Sequence, residues 1–449
     1  MSRGKGRTDR ARRTAFDALR AVHADGAYAN LALADLLDRR RLPARDAALA
    51  TELVAGTCRM EGTYDAIIAR AAGRPTDSLQ PAVVDLLRLG AHQVLAMRIP
   101  TRAAVDATVD LARATVGERV TGLVNAVLRK VAARSLDGWL DTLAEGLTGV
   151  AALAVRTHHP AWIAQAWVDV LGPGEAAVAL AADNVAPRPT LAVRPGLAEV
   201  AELVEAGAVP TPLSPYGAVL DGNPGAVAAV REGRAGVQDE GSQLVAAALA
   251  RVSGPAGPWL DTCAGPGGKS ALLAGLARQA GTWLLASEVA PHRAELVSRA
   301  VRAYVPPVPV VCADGTRPAW RRAFARVMVD APCTGLGALR RRPEARWRHR
   351  AEDVPILARL QRELLTAAIG ATLPGGVVAY VTCSPHPAET VDVVADVVAA
   401  SDVEVLDAPA VVGAIDCARP DPWGGRRVVQ LWPHRHGPDA MFLALLRVG

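Results

Sequence analysis

WLDTCAGPGGKS, Trp259–Ser270, is the stretch that decides the fold. An apolar strand candidate runs directly into clustered glycines, and a helical pattern follows at once. Gly265, Gly267 and Gly268 let a backbone approach a ligand without Cβ interference, and the helix start offers unpaired N–H groups. Two nucleotide motifs compete for this turn, and each fails at one position. A Walker A loop needs glycine where Cys263 stands; the dinucleotide fingerprint needs glycine where Ser270 stands.

From Pro258 onward the alternation is α/β. Strand candidates are WLDTC, TWLLASE, VPVVCAD, RVMVDAP, GVVAYVTC and DVEVL, with helical patterns over Ala290–Ala303, Glu352–Leu373 and Pro387–Ala400. RRVVQLWP and AMFLALLRV read as a closing hairpin, which gives a largely parallel sheet with an antiparallel end. Acids fall at successive strand ends: Glu288, Asp314 and Asp330. The first suits ribose hydroxyls and the second an exocyclic adenine amine, with no magnesium-binding kit for phosphate chemistry. S-adenosylmethionine fits this set better than ATP or NAD.

Cys333, in VMVDAPCTG, and Cys383, in VAYVTCSPH, each end an apolar run and precede turn residues. Parallel sheets place their chemistry there. Carbon 5 of cytosine is a poor nucleophile until a thiolate adds to carbon 6, so a methyl donor beside thiols points to pyrimidine methylation. Asp330 can reach the pairing edge of a base swung out of its stack. Cys263, Cys312 and Cys417 read as small buried hydrophobes. These residues alone leave open which of the two thiols attacks.

Upstream, Arg10 to about Asp141 is helical throughout, with Cys58 and His92 in packing positions. Arg129 and Lys130 end an apolar helix face, a pattern suited equally to docking and RNA contact. Val150–Gly254 is mixed: PAWIAQAWVDVLG a helix, PTLAVRP a strand, LAEVAELVEAG a helix, and VQDEGSQLVAAALARV a helix leading into the last domain. His158 and His159 precede Pro160, which predicts a surface turn or helix start rather than a metal site.

The 449 residues are 51% hydrophobic and 21% charged, enough for two or three domains. Six dispersed cysteines without zinc spacing predict reduced thiols, no metal and a cytoplasmic setting. No apolar run is long enough to span a bilayer, and the basic start lacks a secretory apolar segment. Net charge is +5, concentrated in Met1–Arg20 and in LRRRPEARWRHR, Leu339–Arg350. The second run starts just after Cys333, so it is expected to hold a polyanion, to lower the thiol pKa, and to offer Trp347 as a stacking platform or a buried anchor. Lysine is confined to Lys5, Lys130 and Lys269, one of them inside the glycine turn.

With these motifs in place, the chain resembles the Sun family of RNA cytosine-5 methyltransferases, in particular its 16S rRNA branch. DTCAGPGGKS is similar to the family's cofactor loop, VDAPCTGLG and VTCSPHPAET to its two cysteine motifs, and the helices ending in LVNAVLR to a NusB-type RNA-binding domain. The resemblance covers essentially the whole length. It implies a helical NusB-like segment at 1–145, an α+β linker at 146–254 and a Rossmann-like methyltransferase domain at 255–449. It further implies Cys383 as nucleophile, Cys333 assisting product release and Asp330 holding the base. Cofactor contacts would come from Cys263, Ala264, Gly265, Pro266, Gly267, Gly268, Lys269, Glu288, Arg293, Asp314 and Asp330. The implied partner is 16S rRNA, naked or in an early assembly particle, bound by a monomer with no membrane attachment. Three positions depart from the family pattern: Glu288 for aspartate, Thr334 for serine, and Thr390 for asparagine. The alternatives are the same chemistry on tRNA or another rRNA site, or a non-catalytic RNA-binding or antitermination factor.

Overall fold

The computed structural model describes residues 9–413 and 415–449; the basic residues Arg3, Lys5 and Arg7 lie outside them. The chain forms two compact units, Met1–Asn184 with Leu339–Arg350, and Val185–Ala338 with Ala351–Gly449. The boundaries drawn from the sequence, after 145 and after 254, fall inside these units. No helix among the described residues is long and apolar enough to cross a membrane.

The first unit is helical, from Arg10–Ala24 through Ala161–Ala182. Apolar residues at helical spacing close on one core containing Leu19, Leu53, Tyr64, Ile67, Leu86, Leu87 and Leu128, all fully buried. Local chemistry sets the ends. Asp9 accepts from Ala11 and Arg12 N–H at the first N-terminus, and Gly73 ends Glu61–Ala72 in the left-handed region. Close packing imposes glycine at position 56, where a Cβ would meet the His92 ring at 2.1 Å. Cys58 and His92 are core residues as expected, and Tyr64 Oη lies 2.9 Å from His92 Nδ1.

One expectation is met in this unit and one corrected. His158 and His159 precede a helix start, Ala161–Ala182 with Pro160 at its cap, and His159 is buried there, 5% exposed, with its Nδ1 on Thr157 O at 2.6 Å. The arginine run Leu339–Arg350 belongs to the helical unit. Arg346 is 0% exposed and donates to Arg59 O, His158 O and Asn184 Oδ1 at 2.9–3.1 Å and to Asp183 O at 3.4 Å. Trp347 donates to Cys58 O at 2.8 Å, and a Cβ on Gly62 would meet its ring at 2.3 Å. Arg348 donates to Ala27 O, and Arg342 and Arg348 stand over the Tyr28 ring. Pattern alone cannot separate a basic anchor from a basic surface, because both read as charge beside apolar residues. Trp347 is the anchor of the two readings, not the stacking platform.

The second unit holds two sheets. The smaller is antiparallel in the order β2 (Val209–Pro210), β3 (Gly217–Val219), β1 (Thr190–Val193), β4 (Ala235–Val237). Among the described residues the larger has nine strands: β5 (Trp259–Asp261), β6 (Leu284–Glu288), β7 (Val310–Cys312), β8 (Phe324–Asp330), β9 (Thr372–Thr382), β10 (Val403–Val405), β11 (Ala418–Arg419), β12 (Val428–Gln430) and β13 (Phe442–Val448). Its order is β11-β12-β13-β9-β8-β5-β6-β7, with β10 also on β13. β5 to β9 run parallel and β13 antiparallel, so the hairpin of β12 and β13 closes one side. Alternate residues serve opposite cores. Met328, Val377, Ala379 and Val381 join one cluster; Val327, Val329, Val378 and Tyr380 join the other. Burial on both faces explains why these strands read as continuous apolar runs.

Candidate active site

Strand order reverses between β5 and β8: β6 and β7 lie to one side of β5, β8 and β9 to the other. Such a switch point opens a crevice at the carboxyl ends of the strands, and the glycine turn leaves β5 there. Thr262 N–H donates to Met328 O at 3.0 Å and Ala264 N–H to Ser287 O at 2.9 Å, pinning the turn between β8 and β6. Asp261 is fully buried and accepts from Ser270 Oγ at 2.6 Å, joining the two ends of the turn. Burial raises its carboxyl to about 7 even against that hydrogen bond.

The turn fits an adenosine-type cofactor. A Cβ on Gly265 would meet Glu288 Oε2 at 2.4 Å, and Gly267, at φ 107°, would meet Ala300 Cβ at 2.5 Å. Only glycine permits that approach. Glu288, 3% exposed, accepts from Gly265 N–H at 3.0 Å and Ala290 N–H at 3.1 Å, leaving carboxylate lone pairs for hydroxyl donors. Arg293 donates to Gly265 O at 2.7 Å and approaches Glu288 at 3.7 Å, bracing the turn. Asp314, exposed, holds its own turn through Thr316 N–H at 2.9 Å. That bond and the Thr316 hydroxyl lower its carboxyl pKa. Cys263 and Cys417 have thiols raised by burial, as structural cysteines do, whereas Cys312 is exposed and lies 3.2 Å from Val289 O.

Register brings the thiols together. β8 and β9 pair in parallel with Asp330 opposite Val381, so Cys333 and Cys383 leave adjacent strand ends. Their Sγ atoms are 3.5 Å apart. Lys269 Nζ sits 2.9 Å from Asp330 Oδ2. Burial alone would lower the Lys269 pKa, but Asp330, Cys383 and Asp261 raise it, so its ammonium lies in the electrostatic field of Cys383. Cys333 is raised well above the usual thiol range by its hydrogen bond to Cys383, then by burial and the charges of Cys383 and Glu389. The lysine of the turn is therefore a cation whose charge acts on Cys383.

Sequence reasoning passed over Glu389, whose carboxylate lies behind both cysteines, and Asp261. The signal for Glu389 was its presence in VTCSPHPAET; only strand register reveals what it touches. Thr390, at a departure from the family pattern, bonds His386 O at 2.8 Å and receives Arg419 at 3.2 Å.

A parallel sheet closed by an antiparallel strand, with a glycine turn at its switch point and acids beyond, defines a Rossmann-like S-adenosylmethionine-dependent methyltransferase. Residues 247–447 match the family described as 16S rRNA methyltransferase RsmB/F, and residues 9–133 match the NusB family. The chain belongs to the RsmB/F methyltransferase family. It is 50% identical to a Mycobacterium tuberculosis protein provisionally named a methyltransferase, over 98% of this chain and 96% of that one. It is 33% identical to ribosomal RNA small subunit methyltransferase B of Pseudomonas putida, over 85% and 87% of the two chains. Among solved structures, PH0851 shares the fold at TM-score 0.82, with 22% identity over 98% of each chain. NSun6 from Pyrococcus horikoshii, crystallised with SFG, shares it at TM-score 0.54 and 19% identity, over 64% of this chain and 98% of that one.

Proposed function

We propose that this enzyme methylates carbon 5 of a cytosine in RNA, with 16S rRNA the first substrate to test, through a covalent bond between Cys383 and the base. The observation that carries the reading is the pair of thiols at neighbouring strand ends, 3.5 Å apart, with the Lys269–Asp330 ion pair on the same strand edge. The rRNA assignment draws on the Pseudomonas relative's name. We further propose a cytoplasmic monomer with the NusB-type helices contributing RNA contacts.

Each residue has a role its setting supports. The positive charge of Lys269 favours the Cys383 thiolate, which is the reactive form. Asp330 accepts from the exocyclic amine of a flipped cytosine while Cys383 adds to carbon 6. The bond to sulfur leaves carbon 5 enamine-like and nucleophilic. The residues Cys263–Lys269, Glu288, Arg293 and Asp314 hold the cofactor, which supplies an electrophilic methyl group. Once carbon 5 has bonded the methyl group, its proton passes to a base such as solvent water, the electrons of that carbon–hydrogen bond re-form the 5–6 double bond, and the carbon 6–sulfur electrons return to Cys383. Cys333, protonated and hydrogen-bonded to Cys383, assists that release. In the Cys333→Ala protein the enzyme–RNA adduct should therefore accumulate.

The test is transfer of labelled methyl groups to purified 16S rRNA and to tRNA, followed by nucleoside analysis. 5-Methylcytidine in rRNA is expected. Label only in tRNA would move the substrate, and label in another nucleoside would overturn the assignment. A protein that binds no S-adenosylmethionine by calorimetry would instead be an RNA-binding factor.

A further inference from the structure

Resting on the thiol chemistry proposed above, we infer that Glu389 is a positioning residue that clamps both cysteine turns to one buried carboxylate and so sets the distance between the thiols. Glu389 is 0% exposed. Its Oε1 accepts from Thr334 N–H at 2.8 Å and from Gln361 Nε2 at 3.3 Å. Its Oε2 accepts from Thr334 Oγ1 at 2.5 Å and Ser384 Oγ at 2.6 Å. Both oxygens are thereby held, Oε1 by two N–H donors and Oε2 by two hydroxyls.

The donors are the neighbours of the thiols. Thr334 follows Cys333, and Ser384 follows Cys383. Gln361 also donates to Pro332 O at 2.8 Å, so Cys333 is held from both sides. Glu389 is fixed in turn by Tyr380, whose hydroxyl donates to Glu389 O at 2.8 Å. One carboxylate thereby joins the turn after β8 to the turn after β9, beyond the last ladder pairs. A buried carboxylate is costly unless its lone pairs are filled, and here the bonds that fill them fix the positions of two sulfurs. Threonine at 334 keeps a hydroxyl donor where the family has serine, so this departure preserves the clamp.

Glu389→Gln puts an amide N–H₂ where donors already point. Full-length protein carrying this change is compared with wild type in two ways. The first is steady-state methylation, with active sites counted by cofactor binding. The expected result is a kcat about a hundredfold lower, the scale of a misplacement near 1 Å, with KM for S-adenosylmethionine within about twofold. The second needs no methylation. In a glutathione redox buffer, where glutathione disulfide is reduced as two thiols lose two protons and two electrons, the Cys333–Cys383 disulfide is followed by peptide mass spectrometry. Its effective molarity should fall about tenfold or more as the sulfurs lose their fixed approach.

Wild-type kcat per active site together with wild-type effective molarity would overturn the clamp. If Glu389→Gln does not fold, Ser384→Ala and Thr334→Val, each removing one donor without changing the buried charge, decide by the same two criteria. Absence of 5-methylcytidine from the wild-type reaction would sink the proposed function alone. The redox comparison would still accept or reject the clamp.

Discussion

The two units bury charge to different ends. In the helical unit Arg346, His23 and Arg88 end on fixed protein groups. Arg346 is spent on main-chain and amide oxygens, and burial lowers its guanidinium to about 9. His23 lies 2.6 Å from Asp85 and 3.2 Å from Glu61, while Arg88 pairs with Asp65 at 2.6 Å. In the sheet unit the half-buried Lys269 and Asp330 and the buried Glu389 gather at the carboxyl ends of β5, β8 and β9, around two thiols. A perturbed ionisable group is therefore a poor marker of function by itself. What distinguishes the second set is a pair of thiols within its field and a crevice at a strand-order switch.

The sharpest way to break this contrast is mutation on each side. Cys383→Ala should lower methyl transfer by at least about 10³-fold while leaving cofactor binding intact. Cofactor titration and single-turnover assays check this, and near-normal turnover would remove the chemical half of the comparison. Arg346→Leu should destabilise the helical unit by about 3–5 kcal/mol, the cost of leaving buried partners unmet. Urea unfolding measures that loss, and cofactor affinity should hold. A stability change under 1 kcal/mol with weakened RNA binding would return Arg346 to the substrate-binding role first expected of the run.

His23 sharpens the contrast through pH. Burial alone would lower its imidazole, but hydrogen bonds and charge from Asp85 and Glu61 raise it to about 9, above the unfolded value of 6.5. Its contribution is thus complete below pH 6.5 and is lost as pH rises through about 9. From that shift the loss is about 3 kcal/mol. Thermal or urea unfolding from pH 6 to 10 should show the decline, and His23→Gln should flatten it. The smallest effect is expected at Lys269→Met, which should slow iodoacetamide alkylation of Cys383 at pH 7 by up to about tenfold. Unchanged alkylation would dismiss Lys269 as the cation that favours the thiolate.

Much of the catalytic unit was legible because its signals are local. A glycine turn between strand and helix, and apolar runs ending in Cys333 and Cys383, need only a few consecutive residues to be recognised. The N-terminal helices were legible for the same reason. What escaped depends on distant partners. Arg346 finds Arg59 and His158, 287 and 188 residues away, and nothing in LRRRPEARWRHR distinguishes that anchor from a solvated basic face. Strands such as Val209–Pro210 are too short to show alternation. Glu389 was visible as part of a motif, yet its work follows from the pairing of β8 with β9, which no single segment encodes.

The central claim is that Cys383 attacks and Cys333 does not. RNA containing 5-fluorocytidine tests it directly, since carbon 5 then carries no removable proton and the adduct cannot be released. Wild-type enzyme, this RNA and S-adenosylmethionine are combined, and the nuclease- and protease-resistant product is sequenced by mass spectrometry. The account requires the modified pyrimidine on the peptide containing Cys383, with Cys333 unmodified. An adduct on Cys333, or complete turnover with no adduct at all, would contradict it.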